Sequence, residues 1–540
     1  MGLAAEGLPA PFLFGMTQGI EKERDIVKRL SKPEGKPVLQ NDRYSLYGVE
    51  NLDGLAITGV VRRVAEGLDE VFIPQTIGGL PVVSLDLSWC SDPEHPARIG
   101  LLRFPDSLMH LPPAALRHVD LAELIPTGKA NFVAVNDCLL TADRCTLVDV
   151  LDRTSRVHDV PQGVQVIGCA AGLDSGAERI CLPESLTEIG DRAFSSMPRL
   201  RSVVLPDGVR RVGRFAFAES ALTAAILPRG LREIGGCAFS GSNLLEVTLP
   251  EELEHMGNGA FSWCSDLRIV HFPRSLRRIS EGAFRRCDAL RRAELPQGLQ
   301  ELGDGAFNGC EALEEINLPD SLRMLGETTL AGCVNLKRIL ISDAHPCFRL
   351  EAGALLTRDG LSLLRMADMG AETVQVPPTV LRMNRGVFAG MRRLRQVTLP
   401  EGLEEISEEL LRGCDSLEEI RIPRSVRRIG PWAFAHCGAL RTLTLPDGVM
   451  EMGSGALLGC RSLKELRLSV GLTALPENLL YGCDALERVI LPMQGPINLP
   501  LTDWGISSSA TLLVSRGSPL HEQLEADAAQ HPGVHLELIN

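Results

Sequence analysis

Eight cysteines are the residues whose type and spacing first suggest chemistry, because they recur at intervals of 23 residues. They form two runs, Cys264, Cys287, Cys310 and Cys333, then Cys414, Cys437, Cys460 and Cys483. Regularly placed thiolates can bind a metal or form a redox series. Stacked strands, however, lie about 4.8 Å apart and place one thiol per layer in a line, which does not converge four sulfurs on one ion. Because Met197 and Met391 take the same slot, we expect a buried apolar position and no metal site.

Three other sequence patterns are similar to known cofactor, metal or catalytic motifs but lack the spacing that those motifs require. Gly303, Gly305 and Gly309 have the spacing GxGxxxG instead of the dinucleotide spacing GxGxxG, so we assign them to turns. His531 and His535 are separated by a Pro-Gly pair, which breaks the helix that would bring them together. Adjacent glutamates on a strand point to opposite faces. We therefore predict no catalytic, cofactor-binding or metal-binding residue, and no enzyme activity.

The cysteines belong to a repeated unit that fills most of the chain. From Leu249 it runs LPEELEHMGNGAFSWCSDLRIVHFP, then FPRSLRRISEGAFRRCDALRRAELP, then LPQGLQELGDGAFNGCEALEEINLP. A fixed period of this length predicts a solenoid, whose function resides on an extended surface. Each unit alternates apolar and polar residues before a proline, as a half-buried strand does. Ala306, Phe307 and Cys310 have the spacing of one short helical turn.

Two longer units interrupt the repeats and match each other. A Leu and an Asp follow Phe132 at the same offsets at which they follow Phe348. We predict that each unit is a strand-turn-strand excursion from the repeats. We predict five segments: 1–42, a non-repeat segment with a short helix; 43–130, an N-terminal cap and degenerate repeats; 131–340, the first excursion and repeat run; 341–492, the second excursion and repeat run; and 493–540, a C-terminal cap.

The repeat resembles a known family. Its consensus pattern, LPxxLxxIGxxAFxxCxxLxxVxLP, closely resembles the BspA-type (Treponema-type) leucine-rich repeat over residues 44–492. The resemblance implies an α/β repeat solenoid: a right-handed leucine-rich-repeat solenoid with one continuous parallel β-sheet, short helical turns and an irregular convex side. Members of this family are mostly bacterial or protist proteins that bind other proteins, often as cell-surface adhesins. A protein partner is therefore implied.

Composition limits the classes of partner. The formal net charge of −14 argues against nucleic acid, and 3 Tyr and 4 Trp supply few rings for stacking on bases. No stretch is long and apolar enough to insert in a membrane. The opening MGLAAEGLPAPFLFG lacks the charged start and apolar run of a signal peptide, so we expect a cytoplasmic protein. The family resemblance implies the alternative, a secreted or cell-surface location.

The variable positions of LxxVxLP point outward from the sheet and are the candidates for binding. In strands from Arg291 to Leu340, basic and acidic layers alternate, which predicts a self-complementary ladder that supports the sheet. Earlier strands hold less charge and more apolar residues, which often mark a partner site. The predicted partner-binding residues are Val204, Ala224, Ile226, Leu245, Thr248, Arg268, Ile269 and His271. Two alternatives stay open: β-branched residues simply suit strands, or the N-terminal segment covers them.

The leading hypothesis is a non-enzymatic scaffold that binds a protein of unknown identity through the sheet face of the repeats. The alternatives are a bacterial cell-surface adhesin, and a targeting module for an activity carried by a partner chain. The oligomeric state stays open.

Overall fold

The fold is known from a computed structural model that describes residues 39–40, 44–50, 57–63, 68–77, 80–87, 97–109, 111, 115–116, 119–126, 131–493, 504–506, 510–528 and 535–539. The chain divides into two compact units between Leu200 and Arg201. The short helix predicted at Glu21–Leu30 lies outside the described residues. The five predicted segment boundaries stay predictions.

The first unit begins with long strands and continues into repeats. Its strands are β1 (Leu39–Gln40), β2 (Tyr44–Glu50), β3 (Ile57–Arg63), β4 (Leu68–Phe72), β5 (Thr76–Ile77), β6 (Leu80–Asp86), β7 (Ala97–Phe104), β8 (Val119–Pro126), β9 (Phe132–Val135), β10 (Cys138–Thr141), β11 (Thr146–Val150), β12 (Val157–Asp159), β13 (Val166–Ile167), β14 (Arg179–Cys181) and β15 (Glu188–Ile189). One sheet has the order β1-β2-β3-β6-β5, and β4-β7-β8 form a parallel sheet. Buried side chains such as Val71, Leu85 and Phe104 form a shared core.

The second unit contains the most regular repeats. Its strands are β16 (Ser202–Val204), β17 (Arg211–Val212), β18 (Ala224–Ile226), β19 (Glu233–Ile234), β20 (Glu246–Thr248), β21 (His255–Met256), β22 (Ile269–His271), β23 (Arg278–Ile279), β24 (Arg292–Ala293), β25 (Glu301–Leu302), β26 (Glu315–Leu318), β27 (Met324–Leu325), β28 (Arg338–Ile341), β29 (Phe348–Glu351), β30 (Ala354–Thr357), β31 (Ser362–Met366), β32 (Thr373–Gln375), β33 (Arg382–Met383), β34 (Gln396–Thr398), β35 (Glu405–Ile406), β36 (Arg428–Ile429), β37 (Thr442–Thr444), β38 (Glu451–Met452), β39 (Glu465–Arg467), β40 (Arg488–Leu491), β41 (Thr511–Ser515) and β42 (His535–Ile539). A helix, α1, spans Pro519–Ala528.

Each repeat contributes two strands and a turn, and each of these stacks on its copy in the next repeat. The strand before the proline, such as β26, pairs in parallel with β24 and β28; we call this series the long strands. The two-residue strand that follows the proline, such as β25, pairs in parallel with β23 and β27; we call this series the short strands. The predicted repeat solenoid is confirmed.

Its sheet differs in one detail from the expectation. Hydrogen-bonded pairing is divided among several parallel ladders of long strands and of short strands, instead of one continuous sheet. The reason is that Pro319 ends its long strand without an N–H to donate, and the chain turns before it pairs again. Each repeat therefore contributes one long strand and one short strand, and the two kinds of strand pair in separate series.

The segment expected to be a helical turn is a series of hydrogen-bonded β-turns. The Cys310 N–H donates to the Phe307 carbonyl at 3.2 Å, and the Ala306 N–H donates to Gly303 O at 3.2 Å, which are three-residue steps. The Phe307 N–H donates to Thr329 O of the next repeat at 3.0 Å, so the turns also stack. At Gly303 an added Cβ would lie 2.6 Å from the Glu281 backbone nitrogen, and this close stacking requires glycine.

The stacked turns bring one phenylalanine per repeat into the interior. Phe217, Phe239, Phe261, Phe284 and Phe307 are completely buried, and their rings are near-parallel with centroids 5.3–5.5 Å apart. This is an offset-stacked geometry, which stabilises the interior beyond the burial of apolar area.

Both excursions are three-stranded antiparallel meanders, one strand more than predicted. In the first, β9 pairs with β10 and β10 with β11; in the second, β29, β30 and β31 do the same. Their last strands rejoin the repeats on the short-strand side, where β11 pairs in parallel with β13 and β31 with β33. The excursions therefore continue into the series of short strands.

The predicted C-terminal helix and final strand are confirmed. Ser518 caps α1, since the His521 N–H donates to its Oγ at 3.1 Å. The last strand, β42, pairs in parallel with β41 and extends the ladder of long strands beyond β40.

Candidate partner-binding surface

The outward face of the long strands carries all eight residues predicted to bind a partner, and every one of them is exposed. The alternation of the strands explains this: along β16, Ser202 and Val204 are exposed while Val203 between them is buried. Among these eight, the most exposed large apolar side chains are Val204 and Ile226, each 61% exposed, followed by Ile269 at 46% and Leu245 at 44%.

Strand register decides which of these side chains are neighbours. Val204 lies opposite Ile226 in the pairing of β16 with β18. The Leu245 N–H donates to the Thr223 carbonyl at 3.2 Å, which brings the next repeat alongside β18. On β20 and β22, Thr248 lies opposite His271. The structure thus brings six of the eight residues onto four neighbouring strands of the second unit, with Leu245 and Arg268 immediately before β20 and β22.

The sequence did not indicate a hydrogen bond between side chains within this surface. His271 Nε2 lies 2.8 Å from Glu246 Oε1, diagonally across β20 and β22, with both side chains more than half exposed. Glu246 also lies opposite Ile269 in the strand register. The surface is therefore apolar at Val204 and Ile226 and mixed in character at Ile269.

Later strands carry the predicted self-complementary ladder. On β26 and β28, Glu315 lies 2.6 Å from Arg338, and just before those strands Glu314 lies 3.0 Å from Lys337. Further cross-repeat ion pairs join Glu418 to Arg441 at 3.8 Å, Lys464 to Glu487 at 3.0 Å and Glu465 to Arg488 at 3.6 Å. Exposed pairs of this kind contribute about 0.2–1 kcal/mol each, so they support the frame.

The repeated cysteines are buried, as predicted, and each also forms a hydrogen bond that the sequence did not suggest. Cys310 Sγ donates to the Phe284 carbonyl of the preceding repeat at 3.1 Å, and Cys264, Cys287, Cys333, Cys414, Cys437, Cys460 and Cys483 make the equivalent contact at 3.2–3.3 Å. Burial raises the pKa of the Cys264 thiol to about 11 and that of Cys437 to about 12. A protonated, buried thiol is a poor nucleophile and a poor metal ligand.

One constellation in the first unit has the geometry of a hydrolase triad. His158 Nδ1 lies 2.7 Å from Asp137 Oδ2, and His158 Nε2 lies 2.5 Å from Ser175 Oγ. Burial is the largest single effect and raises the pKa of Asp137, but the hydrogen bond and charge interaction with His158, together with weaker hydrogen bonds from the Asp137 backbone and Cys138, lower the pKa overall. Sequence reasoning missed this group because the residues lie 17 and 21 positions apart and share no local motif.

The surroundings of this triad indicate a structural role and not a catalytic one. His158 and Ser175 are 0% exposed, and Ser175 Oγ also accepts the Ala177 N–H at 3.3 Å. A serine nucleophile must meet a substrate carbonyl beside oxyanion donors, which a fully enclosed hydroxyl does not allow. The group instead links three consecutive segments of the first unit through buried hydrogen bonds.

The repeat positions described above match a family model. The model of the BspA-type leucine-rich repeat region matches residues 157–268, 255–348 and 367–493, in six copies. The chain belongs to the BspA-type leucine-rich repeat family. No curated protein matches it.

Solved structures of bacterial leucine-rich repeat proteins are similar to this BspA-type chain. A leucine-rich repeat protein from Bacteroides ovatus is 28% identical and covers 67% of this chain and 92% of its own, with a TM-score of 0.46. A leucine-rich cell surface protein from Faecalibacterium prausnitzii is 20% identical, with coverages of 71% and 99% and a TM-score of 0.49. The pneumococcal vaccine antigen PcpA is 17% identical, with coverages of 94% and 99% and a TM-score of 0.43.

Within the described ranges, no three His, Cys, Asp or Glu side chains come together as metal ligands would. Among those same residues, no helix has the length and apolar character needed to cross a membrane.

Proposed function

We propose that this protein is a non-enzymatic scaffold that binds a protein partner on the outward face of β16, β18, β20 and β22. The observation that carries the proposal is the exposure of Val204, Ile226, Leu245 and Ile269 on adjacent strands. Exposed apolar side chains that lie together are a common feature of partner sites. Family membership supports a binding role, because a solenoid offers an extended surface and not an enclosed site.

Charge distribution supports this location. Several long strands from β26 onward hold outward charges in cross-repeat ion pairs, which leave a partner fewer unpaired charges to contact. Leu340 on β28 is exposed, but it stands among these charged side chains. By contrast, burying the exposed part of Ile226 and Leu245 against a partner contributes about 2–3 kcal/mol in total, which is roughly a thirtyfold to hundredfold change in affinity.

The test compares two double variants of the intact chain as bait in extracts of the source cell. Ile226→Glu with Leu245→Glu removes the apolar surface, whereas Met324→Glu with Met450→Glu changes apolar side chains of similar exposure on the short-strand side. We expect the first variant to lose specific partners that the wild type and the control both retain. Each partner is then purified, and its affinity for the three proteins is measured by calorimetry.

Two outcomes contradict the proposal. One is capture by the folded Ile226→Glu, Leu245→Glu variant that equals capture by the wild type. The other is that residues 1–42 of the same chain cover this face. In that case, a photo-cross-linking residue placed at Thr223 in the isolated chain forms a cross-link to residues 1–42.

A further inference from the structure

One short part of this acidic chain is strongly basic. Residues 268–292 contain eight arginines and two acidic residues, Glu281 and Asp288, whereas the whole chain has a net charge of −14. The arginines come in the doublets Arg277-Arg278, Arg285-Arg286 and Arg291-Arg292, with Arg268 and Arg274 as single residues. A local reversal of charge within one repeat is a feature that the alternating ladder does not require.

The structure places five of these arginines around two adjoining depressions next to the surface proposed above. One depression, of about 830 Å³, is lined by Arg268, Ile269, His271, Arg291, Arg292 and Glu294. The other, of about 910 Å³, shares Arg292 and Glu294 and continues past Phe272 to Arg274 and Arg277. We call the two together the basic groove.

The basic groove lies where the pairing of long strands is interrupted. Within the described second unit, β20 pairs with β22, and β24 pairs with β26, but β22 and β24 belong to separate ladders. Phe272 stands here in the slot that Leu249 and Leu295 fill in the flanking repeats. Its ring packs edge-on against Phe284, with centroids 5.5 Å apart. The larger side chain thus lies at the break between the two hydrogen-bonded ladders.

Among the described residues, four arginines of the basic groove form no ion pair with an acidic side chain: Arg268, Arg274, Arg277 and Arg291. Arg277 Nη1 donates instead to the Gly298 carbonyl at 3.0 Å. Arg292 has Glu315 at 4.0 Å, but that carboxylate lies closer to Arg338, at 2.6 Å. Arg268 and Arg291 take the same slot in consecutive repeats, where like charges are destabilising. Glu314 takes this slot in the following repeat, and its pKa is lowered mainly by Lys337 and to a smaller extent by Arg291. Elsewhere this slot carries opposite charges, as in Glu314 with Lys337 and Lys464 with Glu487.

We propose that the basic groove binds an acidic segment of the protein partner, with apolar residues of the same segment lying on Leu245 and Ile226. This inference rests on the proposed function and specifies the chemistry of the partner. The unpaired guanidiniums supply positive charge and hydrogen-bond donors for carboxylates. Because Arg268 follows Leu245 directly in the repeat stack, where its N–H donates to the Leu245 carbonyl at 2.9 Å, the charged and apolar parts are continuous.

The test uses a fluorescein-labelled synthetic peptide with an acidic half of Glu and Asp and an apolar half of Leu and Val. Its binding to the full chain is followed by fluorescence anisotropy. We expect Arg268→Glu with Arg291→Glu to weaken binding at least about tenfold, since two attractive contacts become repulsive. Binding to the wild type should also weaken as salt is raised, because the groove is open to solvent.

A matched control keeps the change of net charge the same. Arg395→Glu with Arg441→Glu alters the same repeat slot, but there Arg441 pairs with Glu418 at 3.8 Å and Arg395 stands between the repeats of Glu372 and Glu418. This control should bind the peptide within about twofold of the wild type, a difference that corresponds to less than 0.5 kcal/mol. An equal loss in both variants indicates the overall charge and overturns the proposal.

Other outcomes distinguish a failure of the basic-groove proposal from a failure of the proposed function. Tighter binding of oligo(dT) than of the peptide, lost in Arg268→Glu with Arg291→Glu, indicates a nucleic-acid groove and overturns the inference. Absence of peptide binding, while capture of cellular partners still depends on Ile226 and Leu245, overturns the inference and leaves the proposed function standing. Peptide binding that depends on Arg268 and Arg291, with capture indifferent to Ile226 and Leu245, supports the groove and contradicts the apolar surface.

Discussion

Replacing Phe261 by alanine should destabilise the second unit more than the same change at any isolated phenylalanine. Phe261 is completely buried in the middle of the row of rings, 5.3 Å from Phe239 and 5.5 Å from Phe284, with interplanar angles of 2° and 3°. Loss of a buried phenylalanine side chain costs about 3–5 kcal/mol. Two stacked neighbours add about 0.5–1.5 kcal/mol each. We therefore expect Phe261→Ala to cost about 4–8 kcal/mol.

Phe388 is the matched control. It is also completely buried in the same repeat slot, but the next repeat places Leu411 there instead of a phenylalanine. Phe388→Ala should cost only the burial and cavity contributions, about 3–5 kcal/mol. Leucine variants isolate the ring contribution: Phe261→Leu should cost about 1–3 kcal/mol more than Phe388→Leu, because both keep most of the apolar volume.

The assay must report local stability, because a repeat array does not have to unfold in one step. Hydrogen exchange measured by mass spectrometry gives the free energy of opening for peptides that contain each site. Far-UV circular dichroism during urea unfolding provides the global comparison. Equal losses at Phe261 and Phe388, in both the alanine and the leucine variants, would refute the idea that ring stacking stabilises this part of the protein.

Two further predictions concern other elements. Ser175 should not react with a fluorophosphonate in the native protein, and His158→Ala should lower the free energy of unfolding by about 1–3 kcal/mol because it leaves buried partners unsatisfied; labelling of Ser175 that disappears in His158→Ala would instead indicate a working nucleophile. In the second excursion, hydrogen bonds from the Thr357 hydroxyl and the Leu361 N–H lower the pKa of Asp359 from its ordinary value of 3.8. Its stabilising contribution is complete above that value and is lost as pH falls through the lower folded-state pKa, so hydrogen-exchange protection of residues 354–366 should fall with acidification in the wild type and be insensitive to it in Asp359→Ala.

Much of the repeat could be predicted because its pattern is local. The period of the prolines, the alternation before them and the buried cysteine slot all follow from residues within one unit. The Ser518 cap of α1 was equally predictable, since a capping residue acts on the first turn of its own helix. The outward direction of Val204 and Ile226 followed from strand alternation alone.

Other features depended on contacts between repeats. Periodicity could not distinguish β-turns from a helical turn at Ala306 to Cys310, because both place residues at that spacing on one side. The first strand of each excursion was missed because a strand is defined by its partner, and β29 forms by antiparallel pairing with β30. The triad of Asp137, His158 and Ser175 likewise assembles only when successive turns stack.

By itself, the sequence determined that the chain is a solenoid of BspA-type repeats and which residues of each repeat face outward, since those properties arise from spacing within a unit. Tertiary structure alone decided which outward residues become neighbours. Register across repeats forms the ion pairs of Glu314 with Lys337 and of Glu315 with Arg338, yet places Arg268 beside another arginine, Arg291, where the hydrogen-bonded ladders of β22 and β24 are divided. The physical reason is that electrostatic pairing depends on distance between strands, which no single repeat specifies.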